Sequence, residues 1–215
     1  MTIHEILKQK FRIDDALAQL ILTNGRVKTL SKGSFLYYQD DDAKYIALPI
    51  QGVLGFHSRC EDGVGNYYNV ITPGTILNEE QLLLGGNAIT EVKAATECQV
   101  VIMSFETANL LFDLDVGFSK LISQSLARKQ RLLQGLFLLR SEKEISVKVE
   151  QALELISPLV EDNYVPLNIQ SLASLLGVSR NSVGRVIKQL IDGGKVEKQG
   201  SGFNLLPTRS QYCIS

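Results

Sequence analysis

The spacing of apolar residues changes twice along the chain and predicts three regions. Near the amino terminus, apolar residues recur every three or four positions, which is typical of amphipathic helices. From Val27 onward they stand in short or alternating runs between segments rich in glycine, proline, asparagine and aspartate. Several short strands at nearly regular intervals indicate an antiparallel sandwich or barrel. The helical positions are Ile3, Ile6, Leu7, Leu17, Leu20 and Ile21, and the strand runs are SFLYY, YIALPI, VLGFHS, YYNVI, TEVKAA and QVVIMS.

After Phe105 the pattern becomes helical again and stays so for about 35 residues without a proline. One seam of this segment advances in alternating steps of three and four, as in helices that pack in pairs. Either a homodimer or packing of the helix on its own barrel explains the seam, and different faces could do both. We favour the dimer, because so long a helix needs more than one partner surface. The seam is Leu114, Phe118, Leu121, Ser125, Arg128, Leu132, Gly135 and Leu139, and its predicted dimer contacts are Phe118, Leu121, Leu132 and Leu139.

The carboxyl-terminal third has a pattern typical of a helix-turn-helix. An amphipathic helix, SVKVEQALELISPLV, is ended by Pro158. The later run IQSLASLLGVSRNSVGRVIKQL predicts two short helices joined by a tight turn. Gly177 lies where the chain must turn sharply, and Ser179 can cap the second helix by accepting a backbone N–H. The positions expected to face inward are Leu172, Leu176, Val178, Val183, Val186, Ile187 and Leu190.

The outward face of the second helix carries the chemistry of a major-groove reader. Arginine can donate two parallel hydrogen bonds to a guanine edge, and asparagine can pair in the same way with adenine. A hairpin wing is predicted to follow, with lysines suited to phosphate contacts. From residue 168 onward, six basic minus two acidic residues give +4 in a chain of net charge −1. The predicted base contacts are Arg180, Asn181 and Arg185, and the predicted phosphate contacts are Ser179, Lys188, Lys195 and Lys198.

Composition narrows the setting of these motifs. With 215 residues, 45% hydrophobic and 21% charged, the chain can form one large or two modest packed domains. No apolar run reaches the roughly 18 residues of a membrane span, and the amino terminus lacks a signal-peptide core. The three cysteines, Cys60, Cys98 and Cys213, are an odd number without metal-site spacing. They predict neither a disulfide framework nor a zinc site, and they favour a reducing cytoplasm.

With these motifs, the chain resembles the CRP/FNR family of bacterial transcription regulators over essentially its whole length. The segment SLASLLGVSRNSVGRVIKQLIDGGKVE resembles the family's winged helix-turn-helix, and residues 114–139 match its long dimerisation helix. Glycines of the strand region are spaced like the turn positions of its effector-binding β-roll. These glycines are Gly33, Gly52, Gly63, Gly65 and Gly74.

The resemblance implies an α+β fold with an amino-terminal antiparallel β-roll like that of cyclic nucleotide-binding domains. It implies a homodimer that reads a palindromic operator in double-stranded DNA through the recognition helix 179–191, with RNA polymerase as a candidate partner. Arg180 and Arg185 match the family's base-contacting arginines, and Ser179 matches a phosphate contact. Position 181 often holds glutamate in the family, so with Asn181 the family's consensus half-site is not implied at that base pair. The expected domains are a β-roll (1–112), a dimerisation helix (113–139) and a winged helix-turn-helix (140–215).

Cyclic AMP is disfavoured as the effector. In the nucleotide-binding members, a Gly-Glu-Leu turn is followed by an Arg-Ser or Arg-Thr pair that holds the phosphate. Glu79 matches the glutamate, but no arginine follows, and no basic residue lies between Arg59 and Lys93. An anionic phosphate needs positive charge or a nest of amides, and the acidic side chains of Glu79 and Glu80 would repel it.

The other family cofactors are also disfavoured. An iron–sulfur cluster needs four cysteine ligands, and three scattered cysteines do not supply them. His57 is a candidate axial haem ligand, but a lone histidine in a strand is more often structural. A small non-nucleotide effector or none remains, with its pocket unassigned. No phosphate loop, nucleophile elbow or metal-spaced group predicts an enzyme. The alternative is a sensing module that acts through protein partners rather than DNA, and the winged motif favours DNA.

Overall fold

The computed structural model describes residues 1–58, 66–160 and 163–206, with backbone only at 66–68. The amino-terminal half is built of strands flanked by helices, as the apolar pattern predicted. Gly63, Gly65, Cys60, Cys213 and Arg59 lie outside the described residues or side chains. The elements up to the long helix are α1 (Ile3–Phe11), α2 (Asp15–Asn24), β1 (Arg26–Leu30), β2 (Phe35–Tyr37), β3 (Tyr45–Gln51), β4 (Leu54–Ser58), β5 (Asn66–Ile71), α3 (Glu79–Leu84), β6 (Glu91–Ala94), β7 (Cys98–Ser104) and α4 (Phe105–Leu114).

Two antiparallel sheets form the β-roll. The first has the order β1-β7-β3 and the second the order β2-β6-β4-β5. Inward side chains of both sheets, such as Leu54, Ile71 and Val100, form one buried cluster. The other face of the first sheet packs under α1, α2 and the start of the long helix around Phe11 and Met103. The result is a helical layer over two sheet layers, each burying one apolar face.

The predicted helical stretch after Phe105 is two helices rather than one. Helix α4 ends at Leu114, and α5 runs from Val116 to Ser141. Asp115 has an extended backbone between them, and its carboxylate accepts the Phe118 N–H at 2.7 Å. This is the geometry of a helix N-cap, which ends one helix and starts the next. Because aspartate fits a helical pattern on its exposed side, apolar spacing alone does not reveal the break.

The carboxyl-terminal region is a three-helix bundle with a small sheet. The sheet has the order β8-β10-β9, and β9 and β10 form the predicted hairpin wing. All four domain features named from the sequence, β-roll, long helix, helix-turn-helix and wing, are thus present, and the predicted fold class is confirmed. The elements are α6 (Ile145–Ile156), a short 3₁₀ helix (Ser157–Leu159), β8 (Tyr164–Val165), α7 (Ile169–Leu176), α8 (Arg180–Asp192), β9 (Val196–Gln199) and β10 (Gly202–Leu205).

The chain divides into two compact units within α5. The amino-terminal unit comprises residues 1–65 and 69–131, and the carboxyl-terminal unit comprises 132–215 with 66–68. The domain limits expected from the resemblance, with a separate helix 113–139, stay a prediction. Across the described part of the chain, no helix is both long and apolar enough to span a membrane.

Candidate functional site

The turn between α7 and α8 is set by Gly177. Its φ of +66° lies in the left-handed region that favours glycine. The Val178 N–H donates to the Ala173 carbonyl at 3.0 Å, and the Gly177 N–H donates to Ser174 at 3.2 Å. These two bonds are the pattern of a Schellman motif, which ends one helix while leaving later carbonyls open to other donors. The turn therefore releases the chain directly into α8.

Helix α8 begins at the residue that the sequence predicted. Ser179 is its N-cap, and the hydroxyl oxygen accepts the Ser182 N–H at 3.1 Å. The inward positions pack as expected, since six of the seven are buried and Val178 is half-buried. The buried six are Leu172, Leu176, Val183, Val186, Ile187 and Leu190.

The opposite side of α8 carries exposed polar and cationic residues, which we call the reader face: Arg180, Asn181, Arg185 and Lys188. The first turn of α8 contains no acidic residue and the last turn no basic residue. Arg180 stands at the positive end of the helix dipole, and Asp192 stands at the negative end. This placement runs against the arrangement that stabilises an isolated helix. An anion bound at the start of α8 would reverse that penalty.

The wing places its lysines differently. Lys198 lies on β9, opposite Phe203 of β10, and is exposed. Lys195 stands just before β9, and its ammonium lies 3.0 Å from the Glu150 carboxylate of α6. A phosphate contact by Lys195 must therefore compete with this ion pair. The assigned base and phosphate contacts all stay predictions, with the reader face, Ser179 and Lys198 exposed.

In the amino-terminal unit, the turn before α3 is tied to α5 at several points. The Arg128 guanidinium donates to the Gly74 carbonyl at 2.6 Å. The Ile76 N–H donates to the Ser125 hydroxyl, also at 2.6 Å. Asn78, just before α3, has a left-handed backbone with φ of 64°, and its side-chain amide donates to the Tyr45 carbonyl. This turn matches the region that holds the nucleotide in the cyclic-nucleotide-binding members.

Glu79 is the centre of these contacts. Its carboxylate is fully buried, and Oε1 accepts the Ser125 hydroxyl at 2.8 Å. Oε2 receives no aligned hydrogen bond, but the Lys129 ammonium lies 2.6 Å away. Burial, and then the charge of Glu79, raise the pKa of the neighbouring Tyr37 well above its usual range. Glu79 and Lys129, here called the buried ion pair, thus neutralise each other's charge.

Sequence reasoning missed Lys129 as a cation beside this turn. The stretch between Arg59 and Lys93 contains no basic residue, whereas Lys129 comes from α5. A signal was present, because Lys129 follows Ser125 by four residues and shares a face with Phe118 and Ile122, both buried. A lysine on an apolar face needs a partner charge, and that partner is Glu79.

The structure also locates the other residues of the β-roll that were considered as ligands of a nucleotide, a haem or a metal. In the segment where the family offers arginine, Asn87 and Ile89 are exposed, Thr90 is half-buried and Ala88 is buried. His57 is half-buried in β4, and burial lowers its pKa. Cys98 is fully buried, and its thiol donates to the Val53 carbonyl at 3.2 Å. Burial also raises the pKa of the Cys98 thiol, so this cysteine is a packed side chain.

The predicted dimer contacts divide between core and surface. Phe118 and Leu121 are buried in the core of their own unit beside α1 and α2. Leu132 is buried and Leu139 is half-buried. The dimer role of these residues stays a prediction, and for Phe118 and Leu121 it competes with packing inside one chain. The large apolar side chains left exposed on the later part of α5, here called the apolar surface, are Leu133, Phe137 and Leu138.

Comparison with known proteins agrees with this architecture. Residues 27–113 match the family model of the cyclic nucleotide-binding domain. The HTH-type transcriptional regulator ArcR of Staphylococcus haemolyticus is 23% identical over 194 residues, which cover 84% of this chain and 82% of ArcR.

Solved structures share the fold at low identity. The c-di-GMP-responsive global regulator CLP of Xanthomonas campestris is 18% identical with a TM-score of 0.73, covering 91% of this chain and all of that one. FixK2 of Bradyrhizobium japonicum is 19% identical with a TM-score of 0.72, covering 85% of this chain and 93% of that one. The CRP/FNR-family regulator TTHA1359 of Thermus thermophilus is 18% identical with a TM-score of 0.68, covering 85% and 94%. The predicted resemblance is therefore confirmed: residues 27–113 match the cyclic nucleotide-binding domain model, and the chain has the fold of solved CRP/FNR transcription regulators.

Proposed function

We propose that this protein is a sequence-specific DNA-binding transcription regulator that reads its operator through α8. The observation that carries the proposal is the reader face, which is exposed and cationic at the positive end of the α8 dipole. The backbone N–H groups at a helix start and the dipole together favour an anion there. A phosphate backbone supplies that anion, and the major groove supplies base edges within reach of the same helix.

Within this proposal, base reading and backbone contact belong to different residues. Arg180, Asn181 and Arg185 read bases, because their side chains can form paired hydrogen bonds with purine edges. Ser179, Lys188 and Lys198 meet phosphates. Lys195 contributes only when DNA attracts it away from Glu150.

The chain acts as a homodimer in this proposal, so that two copies of α8 read a palindromic site. The apolar surface of α5 is the contact that the exposed residues favour. Phe137 is 68% exposed and Leu138 is 70% exposed, and aromatic side chains such as Phe137 are enriched at the buried centre of interfaces. RNA polymerase remains a candidate second partner, and a chain that binds the bacterial chromosome works in the cytoplasm.

The effector, if the chain takes one, is a small non-nucleotide molecule in the β-roll. The Glu79 carboxylate already holds the Lys129 cation, so that cation is not free for a phosphate. Cyclic AMP and other anionic nucleotides, including the c-di-GMP to which CLP responds, would face the buried ion pair, whose cation is already neutralised, and the exposed carboxylate of Glu80. An iron–sulfur cluster stays disfavoured because three scattered cysteines are too few ligands. Haem stays disfavoured because a single histidine in a strand, such as His57, is more often structural. The matched relatives are regulators rather than enzymes.

The test is selection of DNA by the purified chain from a random duplex library, alongside recovery of bound DNA across the genome. We expect enrichment of one palindromic sequence, and we expect the double variant Arg180→Ala with Arg185→Ala to lose it. Arg131→Ala is the matched control, since Arg131 is an exposed arginine outside α8. If the wild-type chain enriches no sequence, the DNA proposal is wrong and the alternative of a module that acts through protein partners takes its place.

A further inference from the structure

Arg140 lies at the end of α5 and reaches into the helix-turn-helix. Its Nε donates to the Leu175 carbonyl at 3.2 Å, and its Nη2 donates to the Ser174 carbonyl at 3.3 Å. Both acceptors belong to the last turn of α7. A Cβ atom at Gly177 would lie 3.7 Å from the Arg140 Nε, so the guanidinium lies beside the turn that leads into α8.

Of these two acceptors, the Leu175 carbonyl is the one that needs a partner. In α7, the Schellman bonds satisfy the Ala173 and Ser174 carbonyls from within the backbone. The Leu175 carbonyl belongs to the last turn of the helix, where carbonyls have no intrahelical partner. Arg140 supplies that donor and places a positive charge at the negative end of the α7 dipole. Its planar fork can meet two neighbouring carbonyls at once, which a single ammonium group does less well.

Arg140 is itself held from α6. The Lys148 ammonium donates to the Arg140 carbonyl at 2.8 Å, and Lys148 is buried. That carbonyl lies at the end of α5, where the Glu144 N–H that would continue the helix donates to the Glu142 carboxylate instead. Lys148 therefore caps α5 from α6, while Arg140 caps α7 from α5. Each contact joins a cation on one helix to the carboxyl end of another.

A close crossing of α5 and α6 also fixes the end of α5. A Cβ atom at Gly135 would lie 2.9 Å from a Leu155 methyl group, which is closer than side chains normally approach. Gly135 thus lets α6 lie directly against α5, one and a half turns before Arg140. The end of α5 is fixed to α6 by packing and to α7 by charged hydrogen bonds.

We propose that Arg140 is a positioning residue for DNA reading. Together with Lys148 it forms a joint, here called the α5 joint, that fixes the direction in which α7 and α8 leave the end of α5. The guanidinium of Arg140 donates hydrogen bonds to α7, so Arg140 acts on DNA through the orientation of α8. This inference rests on the proposed DNA-binding function, but the orientation itself can be measured without DNA.

The first experiment measures the spread of distances between α5 and α8 in the full-length chain. Spin labels are attached after Gln134→Cys and Gln189→Cys, two exposed positions, with Cys60→Ser and Cys213→Ser and with buried Cys98 retained. Labelled chain is diluted with excess unlabelled chain, so that pulsed electron paramagnetic resonance reports the distance between the two labels of one chain. We expect a narrow distribution in this background, a clearly broader one with Arg140→Ala, and an intermediate one with Arg140→Lys. Lys143→Ala, an exposed lysine nearby, is the control and should change nothing.

The second experiment asks for the functional consequence. A series of operators differs only in the spacing between the two half-sites, and affinity is measured for each. Arg140→Ala should weaken binding at the preferred spacing by roughly fivefold while making the spacing less critical, and the salt dependence should not change because no phosphate contact is removed.

The outcomes separate the hypotheses. An unchanged distance distribution with Arg140→Ala overturns the positioning role, and a lowered melting temperature with an unchanged distribution makes Arg140 a helix cap only. A broadened distribution in a chain that selects no DNA supports the α5 joint and contradicts the proposed function instead.

Discussion

In the amino-terminal unit, the charges of Glu79 and Lys129 are turned inward, whereas in the carboxyl-terminal unit the cations of α8 are exposed to solvent. Glu79 and Lys129 neutralise each other in a buried pair, while Arg180 and Arg185 are exposed at the surface. A buried charge is tolerated only when it is paired and hydrogen-bonded. An exposed cation at the positive end of a helix is instead available to a ligand. The face proposed to read DNA is therefore open to a ligand, whereas the carboxylate of Glu79 is already paired within the chain.

The largest effect is expected from breaking the buried ion pair. Glu79→Ala would leave the Lys129 ammonium, only 16% exposed, without its counter-charge. Removal of one partner of a buried pair typically costs about 3–5 kcal/mol, so we expect the amino-terminal unit to unfold at much lower denaturant concentration. Glu80→Ala, at an exposed neighbouring carboxylate, is the control. The double variant Glu79→Gln with Lys129→Met should recover much of the loss. Wild-type stability in Glu79→Ala would mean that the pair contributes nothing.

The comparison is sharpened by titration with cyclic AMP. We expect no measurable heat and no change in operator affinity. A charge-assisted phosphate contact is missing and Glu80 adds repulsion, which together cost on the order of 3 kcal/mol or more, about a hundredfold in affinity. Backbone amides at the start of α3 are the groups that could offset this loss. Micromolar binding that strengthens operator binding would restore a nucleotide-sensing role and contradict the closed site.

Self-association gives a third test. It distinguishes the exposed apolar surface from the buried seam through Phe118 and Leu121 as the dimer contact. Phe137→Asp should leave the fold of the single chain nearly unchanged, since Phe137 is exposed there. It should weaken the dimer by roughly 2 kcal/mol or more, about thirtyfold, as expected for loss of an aromatic side chain at the centre of an interface. Sedimentation over a concentration series measures this shift.

The matched variant is Leu121→Asp, which should destabilise the fold itself because Leu121 is buried beside α1 and α2. A Phe137→Asp chain that stays a tight dimer would move the interface elsewhere on the molecule. A Leu121→Asp chain that folds normally but becomes monomeric would return the interface to the seam predicted from the sequence.

The helix-turn-helix could be predicted from the sequence because its signals are local. The Gly177 turn, the Ser179 cap and the inward positions all lie within a few residues of one another. By contrast, the Glu79–Lys129 contact joins residues 50 positions apart, and no local pattern shows which helix meets the turn. Apolar spacing correctly identified the face of α5 that carries Phe118 and Leu121 as a packing face. Spacing does not reveal whether that face packs on a second chain or on the same one.

A smaller effect is expected for a single base-reading residue. Arg185→Ala should cost about 1–3 kcal/mol on the selected operator and relax the preference at one base pair. The fold should not change, because Arg185 is exposed. Competition binding with all four bases at each position measures both quantities. An equal loss on random DNA and on the operator would show that Arg185 meets the backbone rather than a base.

The smallest effect is expected at the wing, where charge is exposed and no base edge is read. Lys198→Ala should weaken binding to all sequences alike, because a phosphate contact carries no sequence information. One neutralised phosphate fewer should reduce the slope of log affinity against log salt by about one unit. Lys195→Ala is the informative comparison, since Lys195 is paired with Glu150 at 3.0 Å and should alter the slope less. A variant of Lys198 with an unchanged slope would place the wing away from the DNA backbone, and a larger change at Lys195 than at Lys198 would mean that DNA displaces Glu150 from its ion pair.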